Sequence, residues 1–418
     1  MKIAIASDIY YPMTNGVAVF AHNLALGLAK KGHEVMVICP SFDGKYHETD
    51  DNGVRTVHLT SRRFPFYPDQ INEVPEKREL LGIKLPRTRY EHGIWWSVKP
   101  YREISRLLDD FKPDVVHLQT AETIAIATIR YVRKNNVPLV STGHAYPDNV
   151  TSQFGFLKPV KKPVDALLKA YMASFLKHSE YATVPTEMAI SGLLPENRKR
   201  FKVPVEALSN GVDLSQFRPG KPNTTVLKKY GIKTGIPRVL YVGRVDPEKS
   251  ISRVIEAFSK ALPEVLKAEL LIVGDGIDKI NLEKQVRELG IAENVKFTGR
   301  ILPPDLIDIY KVGDVFATAS ETETQGIVLI EAAATGLPLI AVDAGAVSEV
   351  CQNNKNGILC QSGNIEEMAE AMKKLLTDSR LREKYGKASL EIAKIHDINH
   401  TLARFEEIYQ AAIELEKN

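Results

Sequence analysis

Ser320-Glu-Thr-Glu-Thr-Gln-Gly-Ile-Val-Leu-Ile-Glu-Ala-Ala-Ala-Thr-Gly-Leu-Pro338 is the stretch on which the reading of this chain turns. It follows an apolar, strand-like run over 315–319, passes through a turn of carboxylates and hydroxyls, and from Gly326 becomes an alanine-rich helix. Gly336 and Pro338 end that helix, because glycine accepts the left-handed C-terminal turn and proline cannot continue it. Glu323 lies in the turn and Glu331 inside the helix. At 100° per residue, eight positions do not superpose two side chains, so the pair is expected on either side of the helix N-terminus. Unbonded N–H groups and the positive dipole end favour an anion there. Two hydroxyl-seeking carboxylates flanking an anion pocket suit a sugar nucleotide.

The same alternation opens the chain. A strand over 2–6 leads into the polar loop Ser7-Asp-Ile-Tyr-Tyr-Pro-Met-Thr-Asn-Gly16, then a helix over 17–31 with its stop at Gly32, then a strand over 34–39. Strand, loop, helix and strand within about 40 residues form a βαβ unit, which implies parallel pairing and a right-handed crossover. Ligands bind at the carboxyl edge of such sheets, where this loop falls. It lacks G-x-G-x-x-G, so a nicotinamide dehydrogenase is disfavoured, while Gly16 can let backbone N–H groups approach a phosphate.

Residues 41–100 show little regular periodicity and read as an irregular insertion rich in basic and aromatic residues, with Arg62, Arg63, Lys84, Arg87, Arg89, Trp95 and Trp96. Strands over 114–120 and 138–142 then leave His117, Gln119, Thr120 and His144 near the working edge. Lys158 to Lys177 carries five lysines against one aspartate, with Leu167, Leu168, Tyr171, Phe175 and Leu176 at helical spacing. A basic amphipathic helix of this kind can lie on an anionic membrane, and segments 62–102 and 158–177 are the two membrane-surface candidates.

With 418 residues, 44% apolar and 26% charged, the chain accommodates two ordinary globular domains. Turn and linker chemistry at Ser209-Asn-Gly-Val-Asp213 and Arg218-Pro-Gly-Lys-Pro-Asn223 places a boundary between 205 and 225. The expected division is 1–210, 211–390 and a closing helical segment, 391–418, that can cross back to the first domain. Residues 1–212 carry 28 basic against 22 acidic residues and the remainder 27 against 30, so the basic excess sits in the first half. Cys39, Cys351 and Cys360 are too few and scattered for a disulfide framework or a zinc site and read as buried thiols. No signal peptide and no apolar run of membrane-spanning length are evident, which gives a cytoplasmic expectation.

The second half restarts with a strand over 238–242, followed by Gly243-Arg-Val-Asp-Pro-Glu-Lys249 and a helix over 251–262. Arg244 and Lys249 on a loop that precedes a helix can neutralise a diphosphate and stabilise it as a leaving group. Strands over 269–273, 295–298 and 339–342 complete a second parallel sheet. The expectation is an α/β chain of two Rossmann-like, doubly wound domains facing across a cleft.

Gly243-Arg-x4-Lys249 and the E-x7-E from Glu323 to Glu331, with Gly16, Asn210-Gly-Val-Asp213 and Gly336-x-Pro338, resemble the retaining glycosyltransferases of GT-B fold over nearly the whole chain. That resemblance implies that Arg244 and Lys249 hold the donor diphosphate, that Glu331 binds the ribose, and that Glu323 contacts the transferred sugar. Backbone at Arg300 and Ile301 would receive the base, with Gly16, Gly326, Ile327 and Val328 completing the donor site. It implies a nucleotide-sugar co-substrate, no metal and no other cofactor, and no nucleic-acid partner. Glu323-Thr-Gln-Gly326, His117-Leu-Gln-Thr120 and Val184-Pro-Thr-Glu187 are similar to the diacylglycerol glucosyltransferases. That narrower likeness implies UDP-glucose as donor, a lipid acceptor, and a protein held at the inner face of the cell membrane. His144 would then be catalytic, and His117, Gln119, Thr120, His144 and Tyr146 would line the acceptor site. Many relatives have His where Gln119 stands, and 145–148 departs from the subgroup's pattern after His144. Other readings are a transferase for a soluble or other lipid-linked acceptor (a thiol precursor, an inositol lipid, a cell-wall or polysaccharide precursor) and a non-catalytic nucleotide-sugar sensor.

Overall fold

The computed structural model describes residues 1–13, 15–63, 78–80, 83–85, 95–144, 161–194 and 201–416. Tyr146, most of segment 62–102 and the start of segment 158–177 lie outside them. The described residues divide into two compact units, one holding those up to Asn210 together with 399–416, the other holding Gly211–Ile398.

In the first unit, β1 (Lys2–Ala6), β2 (Glu34–Pro40), β3 (His47–Asp51) and β4 (Val54–Leu59) precede two short antiparallel pairs. These pair β5 (Ser61–Arg63) with β8 (Trp95–Ser97), and β6 (Arg78–Leu80) with β7 (Ile83–Leu85). Then come β9 (Val115–Leu118), β10 (Leu139–Thr142), β11 (Tyr181–Val184) and β12 (Val205–Ala207). The main sheet has the order β12-β11-β10-β9-β1-β2-β4-β3. All its pairings are parallel except that of β3 with β4. Helices cover both faces, so β1 is an unbroken apolar run with Ile3 to Ala6 wholly buried.

The β3–β4 hairpin corrects the reading of 41–100 as irregular. Asn52 (φ 53°) and Gly53 (φ 86°) form the left-handed pair that a two-residue hairpin requires, and Arg55 Nε bonds Glu48 Oε2 across it at 2.9 Å. The Asn-Gly signal was visible in the sequence but is masked by the polar residues of β3, whose edge position leaves both faces wet.

The closing helix, Ile398–Glu416, packs into the first unit with Phe405 and Tyr409 fully buried. Gly27 permits this approach, since a Cβ there would sit 2.5 Å from Leu402 Cδ1. The Tyr409 hydroxyl lies 2.8 Å from His117 Nδ1, and Thr142 Oγ1 lies 2.7 Å from His117 Nε2. His117 is therefore a core histidine with both ring nitrogens engaged, not an acceptor contact, and burial together with the nearby His144 pushes its pKa down to about 3.

The second unit holds one parallel sheet, β15-β14-β13-β16-β17-β18. Its strands are β13 (Arg238–Val242), β14 (Glu269–Val273), β15 (Val295–Gly299), β16 (Val315–Ala317), β17 (Leu339–Val342) and β18 (Gly357–Cys360). Alternation along β13 sends Val239 and Tyr241 to the core beneath helices Ile251–Ala261 and Ile365–Thr377. Leu240 and Val242 point to the opposite core, with helices Asp305–Tyr310 and Ile327–Ala334. All three cysteines are buried free thiols. Among the described residues no helix is long and apolar enough to cross a membrane.

Replacing Tyr409 by Phe strips the buried His117 of one partner. We expect a loss of about 1–3 kcal/mol, the cost of an unsatisfied buried polar group, read as a lower urea midpoint for the transition that includes the first unit.

Candidate functional site

In an open parallel sheet the connections diverge where the strand order reverses, and a crevice forms at the carboxyl ends there. In the second unit that point lies between β13 and β16. The loop after β13 begins at Gly243 (φ 153°), a backbone that strains any side chain. It is pressed against the next loop, since a Cβ on Gly274 would fall 1.8 Å from the Gly243 carbonyl oxygen. The Val245 N–H donates to the Asp275 carbonyl at 3.0 Å, and the Ile277 N–H to Asp246 Oδ1 at 3.2 Å. On this rigid base the Arg244 guanidinium bonds Asp246 through one terminal nitrogen and Glu248 through the other. Lys249 ends the short 3-10 turn Pro247–Lys249.

The loop after β16 brings Glu323 to the same place, where Lys249 Nζ meets Glu323 Oε1 at 2.7 Å, each side chain 16% exposed. Burial pushes the Glu323 carboxyl up, but Lys249, with Ser320 and Arg244, outweighs it and holds the group below the ordinary range. Gly326 (φ 73°) turns the chain into helix Ile327–Ala334, and a Cβ there would be 2.8 Å from Leu329 Cδ1. Glu331, inside that helix, accepts a hydrogen bond from the Tyr310 hydroxyl at 2.6 Å. With no cation among the groups that shift it, burial pushes its carboxyl up to about 7, against the lowering effect of Tyr310. Ile327 and Val328 are half-buried at the start of the helix, and Arg300 with the buried Ile301 follows β15 at the same edge.

The structure thus joins Arg244, Lys249 and Glu323 in one charge network, with Glu331 set apart on a neutral partner. Sequence reasoning missed Glu321, which pairs with Arg253 and accepts from Ser362. It also missed Asp246 and Glu248 as partners of Arg244, although Glu248 is four residues from it on the same turn.

The first unit has its own reversal point, between β1 and β9. Gln119 is 1% exposed, with its Oε1 2.8 Å from His144 Nε2. Burial pushes the His144 pKa down to about 3, so its imidazole is neutral near pH 7. The Thr120 hydroxyl accepts from the Asp8 N–H at 2.8 Å and lies 3.2 Å from Asp8 Oδ2. Asp8 also takes the Ile124 N–H at 2.9 Å and the Thr123 hydroxyl at 3.0 Å, capping helix Thr123–Asn135. Beside it, burial and the Asp8 charge push Glu122 up to about 7. Asp8 and Glu122 were not singled out in the sequence, although Asp8 is the second residue after the first strand. Gly16 opens helix Gly16–Lys30 in this unit. Among the described residues no group of three or more His, Cys, Asp and Glu side chains is placed to hold a metal.

Helix Lys161–Leu176 buries Ala173, Phe175 and Leu176, while Leu167 and Tyr171 are 72% and 41% exposed. The Tyr171 hydroxyl donates to the Ala121 carbonyl at 2.5 Å.

Similarity to known protein families runs over most of the chain. A model described as Glycosyltransferase Family 4 matches residues 14–216, and one described as Glycosyl transferases group 1 matches residues 223–391. N-acetyl-alpha-D-glucosaminyl L-malate synthase of Bacillus anthracis is 30% identical, covering 100% of this chain and 99% of that protein. Alpha-monoglucosyldiacylglycerol synthase of Streptococcus pneumoniae is 28% identical over 82% of this chain and 71% of that protein. The crystal structure of Anabaena HepE in complex with UDP-glucose matches with a TM-score of 0.71 at 16% identity, over 98% of this chain and 100% of that one.

Proposed function

The chain belongs to the glycosyltransferases of these two models, with the GT-B fold, and from that premise we propose that it moves a hexose with retention from a nucleoside-diphosphate sugar, UDP-glucose in the first place, to a membrane lipid such as 1,2-diacylglycerol. The observation that carries the donor half is the meeting of Arg244, Lys249 and Glu323 at the carboxyl edge between β13 and β16. The acceptor hydroxyl attacks the anomeric carbon on the face the diphosphate leaves. The bond from that carbon to the β-phosphate oxygen breaks, and a β-phosphate oxygen takes the hydroxyl proton. Arg244, Lys249 and the N–H groups at the start of helix Ile327–Ala334 stabilise the departing charge, in the place a metal would otherwise hold. Glu331 accepts the ribose hydroxyls, Glu323 those of the sugar, and backbone at Arg300 and Ile301 receives the base. His144 and Gln119 face the acceptor.

The lipid half is supported by the diacylglycerol-synthase relative and by the exposed Leu167 and Tyr171 beside Lys162 and Lys169, a surface suited to an anionic bilayer. A second reading, a soluble acceptor, is favoured by the L-malate synthase relative, which aligns over the full length of both chains.

Incubation with UDP-glucose, UDP-galactose, UDP-N-acetylglucosamine or GDP-mannose, each with diacylglycerol vesicles or with L-malate, separates the readings by product mass. Glycosylated diacylglycerol is expected, with sedimentation on anionic vesicles that Lys162→Glu and Lys169→Glu together reduce. A product only with malate and no vesicle binding selects the soluble acceptor, and nucleotide binding without turnover on any acceptor selects a sensor. Glu331 must be ionised to accept two hydroxyls, and its pKa stands at about 7. UDP affinity should therefore fall as pH drops from about 8 to 6, and Glu331→Gln should bind weakly with a flat profile. An unchanged pH dependence in that variant removes Glu331 from the ribose.

A further inference from the structure

In this site the cations are already paired with carboxylates. Arg244 is held by Asp246 and Glu248, and Lys249 by Glu323 at 2.7 Å. Two cations thus face three carboxylates at a place read as binding a diphosphate, so an entering anion meets no surplus of positive side-chain charge. It must displace a carboxylate from a cation. Asp246 is the least able to leave, because it is 2% exposed and its other oxygen holds the Ile277 N–H. Glu323 differs, because among the described residues the cation it is hydrogen-bonded to is Lys249, with Arg244 acting on it through space, and its own proposed partner is the sugar joined to that same diphosphate.

The geometry points to an ion-pair exchange: the donor's phosphate replaces Glu323 on Lys249, and the released carboxylate turns to the sugar hydroxyls. This rests on the reading of Lys249 as a phosphate ligand and Glu323 as a sugar ligand. The backbone around Glu323 is fixed, so the exchange belongs to the side chains. The Glu323 carbonyl accepts the Ala346 N–H at 3.2 Å, and a Cβ on Gly345 would sit 2.9 Å from that carbonyl oxygen. Two residues earlier, Glu321 is tied to Arg253 and Ser362, anchoring the loop from two other elements. Rotation about the Glu323 side-chain bonds parts the carboxylate from Lys249 and from Ser320 without moving the backbone. The consequence is an order of events: while Lys249 holds Glu323, the hexose has no carboxylate to bind, so sugar recognition follows phosphate binding. A free hexose without nucleotide is not retained.

The test measures calorimetric affinity for UDP and for UDP-glucose in the full chain and in Lys249→Met, Glu323→Gln and Glu323→Asp. Lys249→Met should bind UDP at least about tenfold more weakly, the scale of one lost charge-assisted contact. Glu323→Gln should bind UDP about fivefold more tightly, because Lys249 is no longer occupied, while losing any preference for UDP-glucose over UDP. Glu323→Asp, one carbon shorter, should move UDP affinity the same way by less, which keeps the test open if the Gln variant folds poorly. A merely structural role for Glu323 would weaken UDP binding in both variants. If Lys249→Met binds UDP normally, the phosphate-site reading itself fails. If Lys249→Met is weakened while Glu323→Gln and Glu323→Asp bind UDP no better than the parent, that reading stands and the exchange is overturned.

Discussion

The parallel pairing of β13 with β16, Val239 against Val315 and Leu240 against Phe316, is the constraint on which the second unit's site depends. Parallel strands all end at one edge, and these two neighbours come from distant parts of the chain. Their outgoing connections diverge, one into Gly243–Ser250, the other into Thr318–Gly326. Only because the two strands touch can a lysine at 249 meet a glutamate at 323. The cores on either face serve the same end, since the alternation along β13 locks the strand from both sides and leaves its carboxyl end no freedom to drift.

Within that frame, two residues of one type are driven in opposite directions. Glu323 has an ammonium beside it and stays ionised below the ordinary range, whereas Glu331 has a tyrosine hydroxyl and is pushed up to about 7 by burial. A carboxylate neutralised by a cation can be exchanged with another anion. One that depends on a neutral donor gains most from further hydroxyl donors, as a ribose would supply. The E-x7-E spacing alone does not distinguish the two; the identity of the neighbouring side chain does.

What could be read from the sequence follows the range of the contacts involved. Arg244 to Lys249 and Glu323 to Glu331 are local arrangements around single strand-to-helix turns, where spacing, glycines and helix period carry the information. His117 is the opposite case. Its position near a strand end suggested the working edge, but the strand runs on to Leu118, and its fate is decided by Tyr409, 292 residues further along, a pairing that no pattern around His117 reveals. The Lys249–Glu323 pair is hidden for the same reason, being made by strand order. The hairpin of β3 and β4 escaped for another: its edge strand β3, wet on both sides, carries no apolar alternation, and Asn52-Gly53 is the signal that marks the turn.

The two sheets share a reversal of strand order but not the sign of the charge placed there. The second unit sets Arg244 and Lys249 at the reversal, while the first sets Asp8 and Glu122, with Asp8 spent on capping a helix and Glu122 pushed up to about 7 beside it. The basic excess of the first half of the sequence therefore does not describe its sheet edge. Part of that excess sits elsewhere, on helix Lys161–Leu176, where lysines flank the exposed Leu167. A neutral His144, a buried Gln119 and a carboxyl poised near neutrality make an edge fitted to hydroxyl groups and poorly fitted to phosphate. If anion binding were the task of both edges, the first would need cations, whereas the side chains described there are carboxyls, a neutral imidazole and an amide.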